Sequence, residues 1–164
     1  MNNTELRNKI VDREHLISLS SGWHEKGKKI VLANGLFDIL HVGHVRYLME
    51  AKDCGDILLV AINSDKSARA LKGEKKPINN EQDRAYLVSG LEMVDYVTIF
   101  DEISVENILR IVKPDIHAKG TDYTKDNVPE KELAKELGIE IRITGDEKNH
   151  ATTDIIEYIV RNFC

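Results

Sequence analysis

Cysteine is nearly absent. Cys54 and Cys164 are the only two in 164 residues, far apart and without a CxxC or Cys/His cluster. That excludes a disulfide-stapled secreted scaffold and fits free thiols in a reducing compartment. No apolar run reaches membrane-spanning length, and the N-terminal MNNTELRNKI has no apolar h-region, so a soluble cytoplasmic protein with no membrane partner is expected. Positive charge is not in excess. The 23 Lys and Arg stand against 28 Asp and Glu, which argues against a broad nucleic-acid footprint and leaves room only for a local cationic pocket. Two familiar phosphate signatures, GxxxxGK[ST] and GxGxxG, are also missing. Repeats and low-complexity segments are absent as well.

What is present is an alternation of short apolar, β-branched runs with helical patterns, in a chain long enough for one well-buried domain. Strands are predicted at 29–33, 56–62, 96–100, 115–119 and 139–144. The order βαβα implies a single-domain α/β fold, a Rossmann-like open parallel sheet of about five strands with helices on both faces. Residues 1–28 read as a helical extension packed on the domain formed by residues 29–164. In that extension Asp12 is near a cap, Leu16, Ile17 and Leu19 share one side, and Gly27 ends the helix.

Further helices are expected in HVRYLMEAKDCG, with Val45, Leu48, Met49 and Lys52 at helical spacing and Gly55 as the stop. NNEQDRAYLVSGLEMV opens on an Asn cap with Ala85, Leu87, Val88 and Leu91 repeating. ISVENILRIVKP offers Ser104 as a cap and Pro114 beyond its end, and PEKELAKELG runs from Pro129 to Gly138. TTDIIEYIVRNF puts Ile155, Ile156, Ile159 and Val160 on one stripe, as a docked terminal helix. SARALKGEKKPINNE reads as a loop.

The stretch NGLFDILHVGH, Asn34 to His44, follows the first strand, where the turns of a parallel sheet aim backbone N–H groups at ligands. A helix starting near Val42 would bring His41 and His44 to one side of its N-terminus, and Gly43 would admit a ligand close to the backbone. A hydrogen-bonded structural pair is the alternative. Zinc is a poorer one, because HxxH supplies two ligands and no third stands at a usual spacing.

GLFDILHVGH resembles the signature of the HxGH nucleotidyltransferase superfamily, which includes cytidylyltransferases of alcohol phosphates, pantetheine-phosphate and nicotinamide mononucleotide adenylyltransferases, and heptose 1-phosphate adenylyltransferases. INSD (62–65), LKGEKKPINNEQDR (71–84), LEMVDYVTIFDE (91–102), KPDIHAKGTDYT (113–124) and TTDII (152–156) resemble the heptose branch in order. That enzyme occurs alone or as the second domain of a bifunctional kinase and adenylyltransferase. Nothing here resembles the kinase half, so the free-standing form is expected.

The resemblance implies transfer of a nucleotidyl group from ATP to a sugar phosphate, with Mg²⁺ accompanying ATP and no confident metal ligand from the protein. A homodimer is also implied. His41 and His44 would contact the triphosphate, with His44 facing transition-state charge, and Lys72 would be a mobile cation closing on the phosphates. Asn34, Gly35, Phe37, Asp38 and Gly43 would form the turn over the nucleotide, although Phe37 reads equally as core and Asp38 as a structural acceptor. Arg84 would contact phosphate or carboxylate, or else make an ordinary salt bridge. Lys119 and Gly120 would face phosphate or sugar, Asp122 the ribose hydroxyls, and Thr152 and Thr153 an anion. Lys75 and Lys76 read as a solvated loop.

Two departures touch the acceptor side and the triphosphate tail. The usual Gly-Gly-Asp is Gly120-Thr121-Asp122, where a threonine at positive φ would be strained. The usual Ser-Thr-Thr is Ala151-Thr152-Thr153, preceded by Lys148 and His150 as substitute anion contacts. The rivals are a glycerol-3-phosphate cytidylyltransferase, an FMN adenylyltransferase, and a nucleotide-binding regulatory protein without catalysis.

Overall fold

The structure, a computed structural model, describes residues 2–146 and 152–163. The expected Lys148 and His150 contacts, the Ala151 departure and the Cys164 thiol lie outside the described residues. Five strands form one parallel sheet: β1 Ile30–Gly35, β2 Ile57–Asn63, β3 Tyr96–Phe100, β4 Ile116–Lys119 and β5 Glu140–Ile143. Their order is β3-β2-β1-β4-β5, so the winding reverses at β1, which pairs with β2 on one side and β4 on the other. A crevice therefore opens beyond the carboxyl end of β1, the usual ligand position in such sheets.

Both faces are covered, as continuous apolar strands require. Val31, Ala33, Val60 and Ile62 pack with α3 (Val42–Lys52) and α5 (Glu81–Ser89), while Ile30, Leu32, Leu59 and Ala61 pack with α2 (Arg13–Glu25), α6 (Glu106–Val112) and α7 (Lys131–Leu137). Each fully buried Leu or Ile contributes about 1.5–3 kcal/mol relative to exposure. Asp12 caps α2 through the His15 N–H, Asn80 caps α5 through the Asp83 N–H, and Gly138 ends α7 at φ 71°. No helix among the described residues is long and apolar enough to cross a membrane.

Several helical expectations are corrected. A short α1 (Asn3–Lys9) precedes α2, started by a capping box between Asn2 and Glu5. The stretch read as a loop after β2 begins with α4 (Asp65–Lys72), because Ser64 caps it and no breaker intervenes before Gly73. Ser104 is not the N-cap residue of α6, which is Val105, although its Oγ accepts from the Glu106 N–H at 3.3 Å. Gly55 is not a left-handed stop. A Cβ there would lie 2.7 Å from the Lys29 carbonyl oxygen, so its role is close passage of α3's exit beside β1.

The phases of the stripes also shift. Ile17, Met49 and Leu87 are exposed, while Ser20, Tyr47 and Arg84 take the inward positions. The final helix, α8 (Thr152–Phe163), has no buried residue among those described, and Tyr158, Ile159, Val160 and Phe163 are exposed. It is not docked along its length: Ile155 and Ile156 are half-covered, and the apolar stripe is open from Tyr158 onward.

Candidate active site

The turn after β1 is built from a left-handed residue and a glycine that makes room for it. Phe37 sits at φ 51°, which turns its ring back under the strand end, and a Cβ on Gly35 would lie 3.1 Å from that ring. Phe37 is buried, with its ring 5.1 Å from that of His44 and 6.5 Å from that of Tyr47. Of its two readings, the core one fits; the ring is the floor beneath the histidines.

Asp38 is buried and accepts from the backbone N–H groups of Ile78 and Asn79 at 2.8 and 3.0 Å. Its other oxygen meets the Lys76 ammonium at 3.1 Å, so the 76–79 loop is tied to the turn and Lys76 is not simply solvated. Of the readings of Arg84, the contact observed is the one to a carboxylate, Asp65, and the phosphate placement is corrected. Its guanidinium has no exposure and donates to Leu36 O, Asn79 O and Asp65 Oδ1 at 2.6, 2.9 and 2.8 Å. These donors face protein acceptors rather than the crevice.

His41 is the N-cap residue of α3, and its side chain makes no cap hydrogen bond. One turn on, the His44 ring stacks on it at 3.8 Å between centroids and 27° between planes. The expected start of the helix at Val42 is what brings the rings together. Burial, and secondarily the neighbouring His41, holds the His44 pKa down to about 4. The His44 imidazole is therefore neutral at physiological pH. Its Nδ1 is buried without a hydrogen-bond partner among the described residues.

These residues open on a cavity of about 800 Å³ at the carboxyl edge of the sheet. Asn34, Gly35, Gly43, Lys72, Lys119, Gly120, Asp122, Thr152 and Thr153 all line it, so apart from Arg84 the sequence-predicted residues share one space. Lys72 is exposed at the last turn of α4, ahead of Gly73 at φ 91°, a placement that allows motion. Thr152 opens α8 and donates its hydroxyl to Ile39 O at 3.4 Å.

Gly120 lies close to Asp122: a Cβ there would lie 2.9 Å from Asp122 Oδ1, so a larger residue would make that carboxylate shift. The feared strain at Thr121 is absent, since its φ is not positive, and its hydroxyl donates to Asp146 O at 2.8 Å. Lys119 is buried and paired with buried Glu130 at 3.2 Å, with its ammonium 4.7 Å from the centre of the Tyr123 ring.

Sequence reasoning missed Tyr47, Asn63, His117 and Glu130. Tyr47 donates to Ala118 O at 2.9 Å and thereby ties α3 to β4. Asn63 ends β2 as Gly35 ends β1, in line with the edge of the crevice. His117 was detectable as a titratable residue at an inward strand position, and Glu130 as an acid directly after Pro129 at a helix start.

Comparison with known proteins places residues 32–158 in a match to the cytidylyltransferase-like family. The Bifunctional protein HldE of Wolinella succinogenes is 48% identical over 133 residues, which is 81% of this chain and 28% of that protein. That of Nitratiruptor sp. is 47% identical over 148 residues, covering 90% and 31%. The chain thus spans under a third of those relatives' length. Among solved structures, a lipopolysaccharide core biosynthesis protein from Thermoplasma volcanium is 35% identical with a TM-score of 0.65, covering 74% of this chain and all of that one. A pantoate-beta-alanine ligase from Francisella tularensis, 20% identical with a TM-score of 0.62 over 93% of this chain and 79% of its own, shares the fold.

The histidine electrostatics are open to direct measurement. In the ligand-free protein the His44 ring protons should titrate near pH 4 by two-dimensional NMR, and inorganic tripolyphosphate should move the titration upward. A free value above pH 6 would contradict the burial argument. The unfolded chain takes up this proton near pH 6.5 and the folded one near 4, so stability from this group falls as pH drops through that window.

Proposed function

The chain belongs to the cytidylyltransferase-like family of nucleotidyltransferases, and we propose that it transfers AMP from ATP to D-glycero-β-D-manno-heptose 1-phosphate in the cytoplasm. The products are pyrophosphate and ADP-heptose, for lipopolysaccharide core or another surface glycan. The observation that carries this reading is the stacked His41–His44 pair, at a helix N-terminus in the crevice where the sheet reverses. It supplies donors to anionic oxygen where neither Walker lysine nor glycine-rich loop exists. Similarity to a lipopolysaccharide core biosynthesis protein and to bifunctional HldE proteins supports the choice of acceptor.

An oxygen of the sugar phosphate attacks the α-phosphorus in line, the bond from that phosphorus to the α,β-bridging oxygen breaks, and pyrophosphate departs with the electron pair. The attacking oxygen is already anionic, so no general base is needed. The protein's task is positioning and neutralisation of charge. His44, half-buried and packed against the Phe37 ring, is the preorganised donor. Lys72 is the mobile cation, while Thr152 and Thr153 add hydroxyls and free helix N–H groups. Asp122 takes the ribose hydroxyls.

The donor set suits an ion carried by the triphosphate. No group of three or more His, Cys, Asp or Glu that could hold a metal occurs among the described residues, and Asp38 and Glu130 are engaged by lysines. Mg²⁺ prefers water and phosphate oxygens and would neutralise charge on the departing pyrophosphate. A homodimer belongs to the same reading, supported by the uncovered apolar stripe of α8.

Three measurements test this reading. Pyrophosphate release should be seen with ATP plus heptose 1-phosphate when ATP, CTP and GTP are crossed against heptose 1-phosphate, glycerol 3-phosphate and FMN; activity only with CTP and glycerol 3-phosphate would overturn it. His44→Ala should lower kcat by about 10²–10³-fold, the usual cost of one preorganised donor, and a loss under about fivefold would remove His44 from that role. Analytical ultracentrifugation should give a dimer mass at micromolar concentrations, and a monomer throughout would refute the assembly.

A further inference from the structure

β4 carries an imidazole where the sheet calls for an apolar side chain. His117 is fully buried and in register with Leu32, on the face that also holds Leu59. Its Nδ1 has no hydrogen-bond partner among the described residues, an unmet acceptor that a leucine would not carry. Its Nε2 lies 2.9 Å from Asn34 Oδ1, and the Lys119 ammonium lies 3.3 Å from the same atom. An ammonium only donates, so the Asn34 atom between them is the carbonyl oxygen. His117 must then donate from Nε2, which fixes its tautomer.

With Oδ1 held by two donors, the amide nitrogen of Asn34 is the group left over. Asn34 is half-buried and lines the cavity, and its Nδ2 makes no hydrogen bond among the described residues. We propose that His117 is a positioning residue: with Lys119 it clamps the Asn34 carboxamide so that the NH₂ group is presented as a donor to an oxygen of the bound nucleotide. Asn34 directly precedes Gly35, in the turn that leads to His41 and His44, which puts this donor on the nucleotide side of the cavity. The inference rests on the nucleotidyl-transfer reading.

A double-mutant cycle separates positioning from general support. Asn34→Ala and His117→Leu should each lower kcat/KM for ATP by about tenfold, the scale of one hydrogen bond to a charged group, with KM for the sugar phosphate unchanged. The double variant should be no worse than Asn34→Ala. His117→Gln, which retains a donor at the ε position, should recover activity to within about threefold of wild type. Multiplying losses, near one hundredfold in the double variant, or an effect confined to the sugar phosphate KM, would overturn the assignment.

If His117→Leu does not fold, ¹⁵N NMR of the wild-type ring decides the clamp. An Nε2–H tautomer is required, and Nδ1–H refutes it. Wild type inactive with every substrate pair would instead defeat the nucleotidyl-transfer reading, while the tautomer measurement still tests the clamp.

Discussion

One guanidinium that solvent does not reach holds the active-site turn in place. Arg84 donates to Leu36 O in the turn after β1, to Asn79 O in the loop before α5, and to Asp65 at the start of α4. A buried cation is tolerable only while its acceptors remain, and stranding it costs about 3–5 kcal/mol. The three segments therefore keep their arrangement together or lose it together. Asp38 fastens the same place from the acidic side, taking two backbone N–H groups of the 76–79 loop and the Lys76 ammonium. Lys72 stands at the far end of α4, an element whose N-terminus Arg84 fixes.

The site divides its cations by state. Burial keeps His44 neutral at physiological pH, which limits charge repulsion within the stacked pair. A lysine in the same place would carry permanent charge at a desolvation cost. Lys72 is left in water, where its charge carries no desolvation cost. Lys119 is the third case. Its buried charge is balanced by Glu130 and covered by the Tyr123 ring, so it serves as fixed structure in the cavity wall.

Strand positions were legible because β-branched runs between turn residues have few other uses; all five lie within one or two residues of expectation. The histidine pair was legible because the turn, its glycines and the helix start are local. Arg84 was not, since a charged residue on a helix reads as surface under any local rule, and only tertiary acceptors make an inward guanidinium stable. The same holds for His117 in β4. The exposed Met49 and Leu87 show the converse: a short helical stripe reveals amphipathicity, but its phase is set by the neighbours it meets. The lysine-rich KGEKK run misled differently, drawing the preceding SARAL into a loop although Ser64 caps a helix there.

Arg84 and His117 act on opposite faces of the sheet. Arg84 comes from α5 on the side of Val31 and Ala33, and His117 lies with Leu32 on the other. Between them they hold Leu36 and Asn34, the residues on either side of Gly35. A left-handed Phe37 costs about 1–2 kcal/mol, and such a conformation persists only where its surroundings over-determine it. Two buried polar clamps, one per face, supply that over-determination at the tip of β1. The tip in turn sets where α3 begins and hence where His41 and His44 stack. Stability given up inside the core thus appears as rigidity at the mouth of the crevice.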